Sequence, residues 1–453
     1  MQQAHRITAL AFGIASAFAY GNVHASGFQL KENSTKAMGS AFAGVGLDAT
    51  DASNVVNNPA TLARIDRTIV QSDLALIDVN ATFNATFNGG GQTILGTALT
   101  GGDGGDAGDL AAVPALSVAH RFGNGLAVGA MVSAPFGLKT EYDRDWVGRY
   151  FGVESDLKVV NLTVSAALDI VPDRLSIGAG LVASHADVTL TRAIDFGTAL
   201  FANPATRPLP FARPQAADGF VDVQGEDNGF GFVLGVTLTP TDRLSLGLSY
   251  QSEIDYDLEG TSDFTVPSNA RAVFDSNPAT RVRFRDGDVT ARLTTPATTT
   301  VTAKYQVNDA FNVALTYSET GWESVQEVRI DFENPDPDSV EPFDWDTTRF
   351  MSIGGEYRLN EDWTLRAGYA YDETPTTFQT RTPRLPDEDR RWYAIGATWA
   401  FSEHLEFSVA YTRIEPDEPR IGIITPTADG GQRLFGTYDS DVNLFGVSGQ
   451  YRF

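Results

Sequence analysis

After about residue 66, apolar and polar residues alternate along most of the chain. The repeat is two residues, whereas a helix repeats every ~3.6, so the pattern predicts β-strands with one apolar and one polar face. The apolar face often carries an aromatic residue at its ends, as membrane-facing strands do. The pattern is clearest in residues 160–168, 244–250, 363–371, 393–401 and 405–412.

The connections between these segments fall into two classes. The short ones are residues 123–125, 172–174, 241–243, 307–309, 360–362 and 402–404. The long, polar ones lie near residues 89–112, 143–155, 194–227, 261–287, 332–346, 378–390 and 416–437. Alternating short turns and long loops are typical of outer-membrane barrels. These six turns and seven loops predict an all-β fold, a 14-stranded antiparallel transmembrane β-barrel.

The first 25 residues have the pattern of a secretory signal peptide. Arg6 precedes an apolar run from Ile7 to Tyr20, and Val23 and Ala25 are the small residues of a cleavage site. The rest of the chain has no apolar stretch near the ~18 residues that a transmembrane helix needs. Because only helices and closed barrels satisfy their backbone hydrogen bonds in lipid, an exported membrane protein of this kind is a barrel.

The segment between the signal peptide and the first strand lacks the two-residue repeat. Pro59 disfavours a central strand there, and apolar residues such as Phe28 and Phe42 need burial. A 14-stranded barrel has a wide lumen that can hold such a segment. We therefore predict three parts, a signal peptide (1–25), an N-terminal hatch that plugs the lumen (26–65) and the barrel (66–453).

Charge and composition exclude some partners. The formal net charge is −25, and removal of residues 1–25 takes away one arginine and no acid, which leaves −26. So acidic a chain does not suit nucleic acid, and the absence of cysteine rules out disulfides. The simplest explanation of the acidic residues is that those on the outside bind divalent cations shared with lipopolysaccharide. A calcium site is therefore an open alternative. No cofactor or resident metal is predicted, and we expect a monomer.

The chain ends in an alternating segment, Val447 to Phe453, with a terminal aromatic residue. This resembles the signal by which the barrel-assembly machinery recognises its substrates. The expected surroundings of the protein are therefore the bacterial outer membrane, its lipid and its lipopolysaccharide.

Several motifs resemble the outer-membrane long-chain fatty acid transporter family (FadL type). The start of the hatch, residues 26–30, and the later motifs 41–44 and 58–60 are similar to that family's hatch. Further similar motifs in the barrel are 136–142, 162–168, 247–252, 258–260, 363–368, 371–375 and 385–392. The resemblance implies a plugged 14-stranded barrel that takes up hydrophobic molecules, with long-chain fatty acids as the first expectation. Some relatives handle aromatic hydrocarbons, so uptake of aromatic hydrocarbons or alkanes is the alternative.

Uptake of this kind needs apolar surfaces, because burial stabilises a hydrophobic solute by ~25 cal/mol per Å². The loop 194–227 supplies candidate ligand-binding residues, Phe196, Leu200, Phe201 and Phe211. Exposed apolar residues at this density indicate a binding surface. The alternative is that they pack on one another and cap the barrel, and both readings stay open here.

The third barrel strand contains Pro135, Phe136 and Gly137. Pro135 cannot donate a ladder hydrogen bond, and Gly137 relaxes the backbone. The resemblance implies an inward kink and a lateral opening at this position. The hypothesis is sideways release of ligand into the membrane, and the alternative is an ordinary β-bulge.

Two further groups concern the hatch. Phe28 and the turn Asn58-Pro59-Ala60 are predicted to gate the channel, unless the turn is a purely structural part of the plug. A second set is predicted to form an ion-pair network that shapes an outer loop or anchors the hatch; its members are Asp372, Pro386, Asp387, Asp389 and Arg390.

Arg192 matches a family position that meets the ligand's head group, and arginine pairs with carboxylates bidentately. A lone arginine near a barrel rim is more often a surface charge, which is the alternative. The family's lysine in the fifth outer loop has no counterpart, because residues 334–338 are acidic here. That difference weakens the expectation of a carboxylate ligand.

Two other functions were weighed. An outer-membrane lipid hydrolase would need a catalytic histidine, and only His185 is placed suitably, without a matching motif. We therefore expect no enzyme. A general porin or an adhesin is the other rival, and a plugged lumen argues against an open pore.

Overall fold

The computed structural model describes residues 27–86, 90–123, 125–425 and 431–453. The predicted signal peptide lies outside these residues. In the part that is described, no helix is both long and apolar enough to cross a membrane.

Strands of one antiparallel sheet form most of the molecule. In chain order they are β1 (Ile69–Ala85), β2 (Gly91–Gln92), β3 (Leu110–Arg121), β4 (Leu126–Glu141), β5 (Glu154–Val171), β6 (Leu175–Asp195), β7 (Asp218–Thr241), β8 (Leu244–Gln251), β9 (Ile254–Thr265), β10 (Gly287–Thr295), β11 (Thr298–Gln306), β12 (Phe311–Thr320), β13 (Glu327–Phe332), β14 (Ser339–Pro342), β15 (Thr348–Arg358), β16 (Trp363–Asp372), β17 (Arg390–Ala400), β18 (Leu405–Pro416), β19 (Arg420–Ile424) and β20 (Arg433–Arg452).

The sheet closes on itself, because β1 pairs with β20 from Ile69↔Arg452 to Ala85↔Gly436. Two wall strands are interrupted, so that β8 with β9 and β10 with β11 each count as one. The short strands β2, β13, β14 and β19 belong to the outer connections. Fourteen wall strands remain, and the predicted fold class is confirmed.

The short predicted turns all join neighbouring wall strands at one end of the barrel. This is the end at which β1 begins and β20 finishes. The outer connections are shorter than predicted in places. The loop predicted at 194–227 is strand up to Asp195 and again from Asp218, and β14 lies within 332–346. The outer part of β7, residues 218–227, is rich in acidic residues and glycine and therefore resembled a loop in the sequence.

The outer face of the wall is an apolar belt. Its exposed residues include Leu162, Val164, Leu181, Phe230, Leu248, Ile353, Ile395 and Val447. The inner face carries small and polar residues, and Ser165, Thr237 and Thr316 are buried against the hatch. An apolar exterior with a polar interior is the arrangement expected of a barrel surrounded by lipid.

The hatch fills the lumen and has little regular structure: α1 (Thr35–Met38), α2 (Asn54–Asn57) and a 3-10 helix (Pro59–Arg64). The Ser34 side chain caps α1 by accepting a hydrogen bond from the Ala37 N–H. The segment then passes so close to the wall that a Cβ on Gly368 would lie 2.0 Å from the Ser40 carbonyl oxygen. The exact limits proposed for hatch and barrel stay a prediction, although β1 begins at Ile69.

Two helices, α3 (Phe196–Ala202) and α4 (Ser268–Asp275), lie in outer connections. They pack together through buried apolar residues, Phe196, Leu200, Ala212, Ala217, Ala270 and Phe274. The two loops thus form one compact cap on the outer side of β6, β7 and β9.

Candidate functional site

The wall is irregular at the predicted kink. Between Ser133 and Phe136 the register of β4 against β5 shifts, so one extra residue is inserted in β4. This is a β-bulge, which bends a strand locally. The bulge coincides with Pro135, whose nitrogen carries no hydrogen for the ladder.

The bulge also ends the pairing between β3 and β4. Their ladder runs from Arg121↔Ala127 to Leu116↔Val132, and residues 110–115 of β3 pair with β1 alone in the described wall. Continuing the same register would place Pro114 opposite Ala134, and Pro114 has no N–H to donate. Further out, the Glu141 N–H donates to the Ala107 carbonyl at 3.3 Å. Between these two contacts the described residues of β3 and β4 share no ladder pairing, and this break in the hydrogen bonding is the wall gap.

The hatch supplies the partner that the bulged strand has lost. The Leu30 N–H donates to the Pro135 carbonyl at 2.7 Å, and the Gly137 N–H donates to the Phe28 carbonyl at 2.9 Å. Gln29 and Phe136 form the β-bridge between them. The start of the hatch thus satisfies backbone groups that would otherwise be unpaired beside the gap.

Phe28 is buried in an aromatic cluster. Its ring centroid lies 4.8 Å from that of Trp322, 5.8 Å from Phe136 and 5.9 Å from Trp345. Trp322 belongs to a single 3-10 turn after β12 (Trp322–Ser324), which turns the side chain into the lumen. Neither tryptophan was predicted. The only hint in the sequence is their position, since each tryptophan lies just outside a wall strand.

Below this cluster, the hatch and the wall line a narrow inner cavity of about 100 Å³. Its apolar lining includes Leu30, Phe42, Val45, Pro135, Phe136, Val182, Ile254 and Phe350. Its polar lining includes Asn161, Thr163, Thr298, Ser318 and the amino group of Lys31. Burial lowers the pKa of Lys31 and raises that of its neighbour Glu32 to about 7. The cavity is amphipathic and borders the wall gap.

A second concavity, the outer groove, opens toward the outside and has a volume of about 160 Å³. Leu190, Val221, Val223, Val328, Ile330, Phe332 and Val340 supply its apolar lining. Arg192 is in this groove, where its Nη2 donates to Ser339 Oγ at 3.3 Å. Arg384 also lines it and forms an ion pair with Glu341 at 3.2 Å, and burial lowers the pKa of Arg384. Arg384 was missed because it lies in an irregular loop.

Among the members of the predicted ion-pair network, the structure shows one ion pair and several hydrogen bonds. The Asp387 carboxylate pairs with Arg390 and accepts a hydrogen bond from the Gly27 N–H at 3.0 Å. The Asp389 carboxylate accepts hydrogen bonds from the Tyr371 hydroxyl and the Thr374 N–H. The other two predicted members, Asp372 and Pro386, are buried beside them. One carboxylate thus joins an outer loop to the start of the hatch.

The Asn58-Pro59-Ala60 turn lies far from Phe28 along the barrel. It is buried at the end of the lumen that carries the short turns, where the Asn58 side chain donates to the Val236 carbonyl at 3.2 Å. A Cβ on Gly235 would lie 2.2 Å from Asn58 Oδ1, and one on Gly178 would lie 2.5 Å from the Ala60 nitrogen. The turn is therefore clamped against the wall and does not line the inner cavity.

The four candidate ligand-binding residues of the loop 194–227 have different surroundings in the structure. Phe196 and Leu200 are 0% and 4% exposed inside the cap, so they offer no capture surface in this conformation. Phe211 packs against the same cap, and Phe201 lies beneath the guanidinium of Arg207, 5.0 Å from its ring centroid. None of the four lines the outer groove. Their role in ligand capture stays a prediction.

The acidic loop is largely paired with arginine. Asp336 accepts from Arg283 Nε at 2.9 Å, and Asp338 pairs with Arg329 at 3.1 Å. Among the residues that the structure describes, no three carboxylates or histidines come together as a metal site. His185 lies on the outer half of β6, where its Nδ1 is 3.1 Å from Asn228 Oδ1.

Comparison with known proteins decides the family. A family model described as "Outer membrane protein transport protein (OMPP1/FadL/TodX)" matches residues 16–453. The chain belongs to this family. It is an outer-membrane channel for the uptake of hydrophobic compounds, as its barrel fold and its relatives both indicate.

Individual relatives resemble the chain over nearly its whole length. "Outer membrane protein P1" of Haemophilus influenzae is 27% identical, covering 96% of this chain and 97% of that protein. The "Long-chain fatty acid transport protein" of Salmonella typhi is also 27% identical, covering 96% and 99%. The crystal structure of a Pseudomonas aeruginosa FadL homologue superposes with a TM-score of 0.87 at 27% identity, covering 94% and 99%. The toluene transporter TodX of Pseudomonas putida has a TM-score of 0.68 at 19% identity over 94% and 99%, which shows the shared fold.

Proposed function

We propose that this protein takes up long-chain fatty acids. The supporting observation is the wall gap beside the amphipathic inner cavity, because a molecule held there has a route into lipid that avoids the plugged lumen. The relatives named for fatty acid transport agree with this substrate. Uptake of aromatic hydrocarbons or alkanes through the same fold is the alternative.

Ligand capture takes place in the outer groove. Its apolar walls remove hydrocarbon from water at ~25 cal/mol per Å², which amounts to several kcal/mol for a long acyl chain. Arg192 and Arg384 lie at the polar side of this groove, where a carboxylate head group finds positive charge. In this proposal Arg192 has the head-group role that the family resemblance implies.

Passage to the inner cavity requires movement of the hatch segment 27–31. This segment holds Phe28 in the aromatic cluster and fills the wall beside Pro135 and Gly137. Its displacement frees the bulged strand and opens the gap between β3 and β4. The ligand then leaves sideways into the outer leaflet, and the driving force is its own concentration gradient.

Closing the gap tests the proposal. In Pro135→Val combined with Gly137→Val, a ladder donor is restored and a side chain is added 3.2 Å from Leu30 Cδ1. We expect uptake of labelled oleate to fall to the level of cells that lack the protein. Gly449→Val on β20 is the matched control, since its added Cβ meets only Phe407 at 3.7 Å.

Unchanged oleate uptake by the correctly folded double variant would contradict lateral release of the ligand between β3 and β4. Toluene uptake measured in the same cells decides between the substrates. If the wild-type protein carries toluene and not oleate, the hydrocarbon alternative is correct. A monomeric state and contacts with lipopolysaccharide and the barrel-assembly machinery stay predictions.

A further inference from the structure

Lys31 places an amino group on the surface of the inner cavity. The side chain is enclosed by barrel and hatch, yet it is half-buried and not fully buried, because the cavity leaves part of its surface open. Buried lysines are rare unless they are paired. A lysine that lines an internal, partly apolar cavity therefore needs a physical account.

The protein satisfies this ammonium only in part. Lys31 Nζ donates to Gln29 Oε1 at 2.8 Å and lies 4.8 Å from the centroid of the Phe350 ring. Among the residues described, no carboxylate forms an ion pair with it. An ammonium has three N–H donors, so donor capacity remains for a ligand.

The position of the amino group is fixed by its neighbours. Gln29 is held between two wall strands, since its Nε2 donates to Thr298 Oγ1 at 3.0 Å and its Oε1 accepts from Thr320 Oγ1 at 3.3 Å. Phe350 lies on β15, the wall strand that pairs with β12. The ammonium is thus preorganised at the cavity surface, which reduces the entropy lost when a ligand binds.

The energetics favour an anionic ligand. Burial lowers the pKa of Lys31, because the charged form is poorly solvated, and Arg390 acts in the same direction. The charges of Asp372 and Glu32 offset this in part. A carboxylate that enters the cavity supplies a counter-charge for the ammonium. A neutral hydrocarbon does not, so the free-energy cost of burying the charged ammonium is unchanged.

We propose that Lys31 binds the carboxylate of a long-chain acid in the inner cavity and makes the channel select acids over neutral hydrocarbons. The inference rests on the proposed uptake function and assigns the head-group contact at its inner site. The apolar lining from Leu30, Phe136 and Ile254 then receives the acyl chain. The segment that opens the gap therefore also carries the charge that recognises the ligand.

Binding of two ligands of equal chain length tests this inference. Oleate and its neutral methyl ester are titrated into the purified, folded full-length barrel, using the wild type, Lys31→Met and Lys158→Met. Lys158 is the control because it lies on β5 with its side chain 43% exposed and paired with Asp156. Lys31→Gln is a second variant, in case the methionine perturbs the hatch.

We expect Lys31→Met and Lys31→Gln to weaken oleate binding about tenfold or more, the effect of losing one charge-assisted hydrogen bond. Methyl oleate binding and the control should be unchanged. Equal weakening of both ligands, or no change for oleate, would overturn the assignment of Lys31 and leave the uptake function standing. A wild-type barrel that binds neither ligand would instead overturn the proposed function.

Discussion

The two ends of the hatch are attached to the barrel in different ways. At the outer end, residues 27–30 are held by hydrogen bonds to the bulged strand and to one carboxylate, with the inner cavity beside them. At the other end, the Asn58-Pro59-Ala60 turn is pressed onto glycines of β6 and β7. The first attachment is polar and borders open space, whereas the second is a tight steric fit.

This difference indicates which end moves. A ligand or water can replace hydrogen bonds beside a cavity at little net cost, because a typical exchange is worth only about 1 kcal/mol. A turn fitted against backbone has nowhere to shift without a void or a clash. Of the predicted gating residues, we therefore expect Phe28 to move and Asn58, Pro59 and Ala60 to hold the hatch in place.

The largest effect is expected from Asp387→Asn, which removes the charge facing buried Arg390 and weakens the bond to Gly27. Breaking a buried pair costs about 3–5 kcal/mol, so the melting temperature should fall and residues 27–31 should become protease-sensitive. The control is Asp417→Asn, whose pair with Arg391 is exposed. Similar losses in both variants would contradict a special role for the buried carboxylate.

A smaller effect is expected at the clamped end from Gly235→Val. Its side chain collides with Asn58, and such overpacking costs about 1–3 kcal/mol. The hatch should then be displaced from the lumen. This displacement should increase the ion conductance measured in planar bilayers. Gly287→Val is the control, since a Cβ there has no atom within 4 Å. If conductance stays at the wild-type level in a folded barrel, the clamp does not hold the hatch.

The smallest effect is expected from Thr298→Val, which keeps the side-chain shape and removes the acceptor for Gln29. About 1 kcal/mol of local stability should be lost. Hydrogen exchange followed by mass spectrometry should speed up in residues 28–31 and stay constant in 54–64. Thr300→Val is the matched control, because Thr300 bonds to Ser318 within the wall. Faster exchange at both ends would mean that the hatch responds as one unit.

Much of the site was visible in the sequence as residue types. Pro135 and Gly137 predicted the irregular strand, and the Asp387 region predicted an ion-pair network. The sequence did not indicate Pro114 on the neighbouring strand, because a proline has meaning there only once the two strands are in register. Nor did it indicate Lys31, whose enclosure depends on wall residues more than 250 positions away, such as Thr298 and Phe350.

The prediction for the loop 194–227 was limited in the same way, because long-range contacts decide the environment of its side chains. Density of apolar residues marked 194–227 as important without deciding between capture and packing, and the structure packs Phe196 and Leu200 into a cap. The outer groove is built from Val328 and Ile330, which looked like ordinary strand residues, and from Val340, which lay in a predicted loop. Whether an apolar side chain faces solvent, lipid or a partner depends on the neighbouring strands.

By itself, the sequence determined the barrel, its strand number and the positions of the short turns, which share one end of the barrel. These features follow from local rules, since alternation and turn length act within a few residues. The tertiary structure alone decided how the hatch pairs with the bulged strand, which end of the hatch is clamped and which charge lies beside the cavity. Each of these depends on contacts between segments far apart in the chain, and register across the closed sheet brings those segments together.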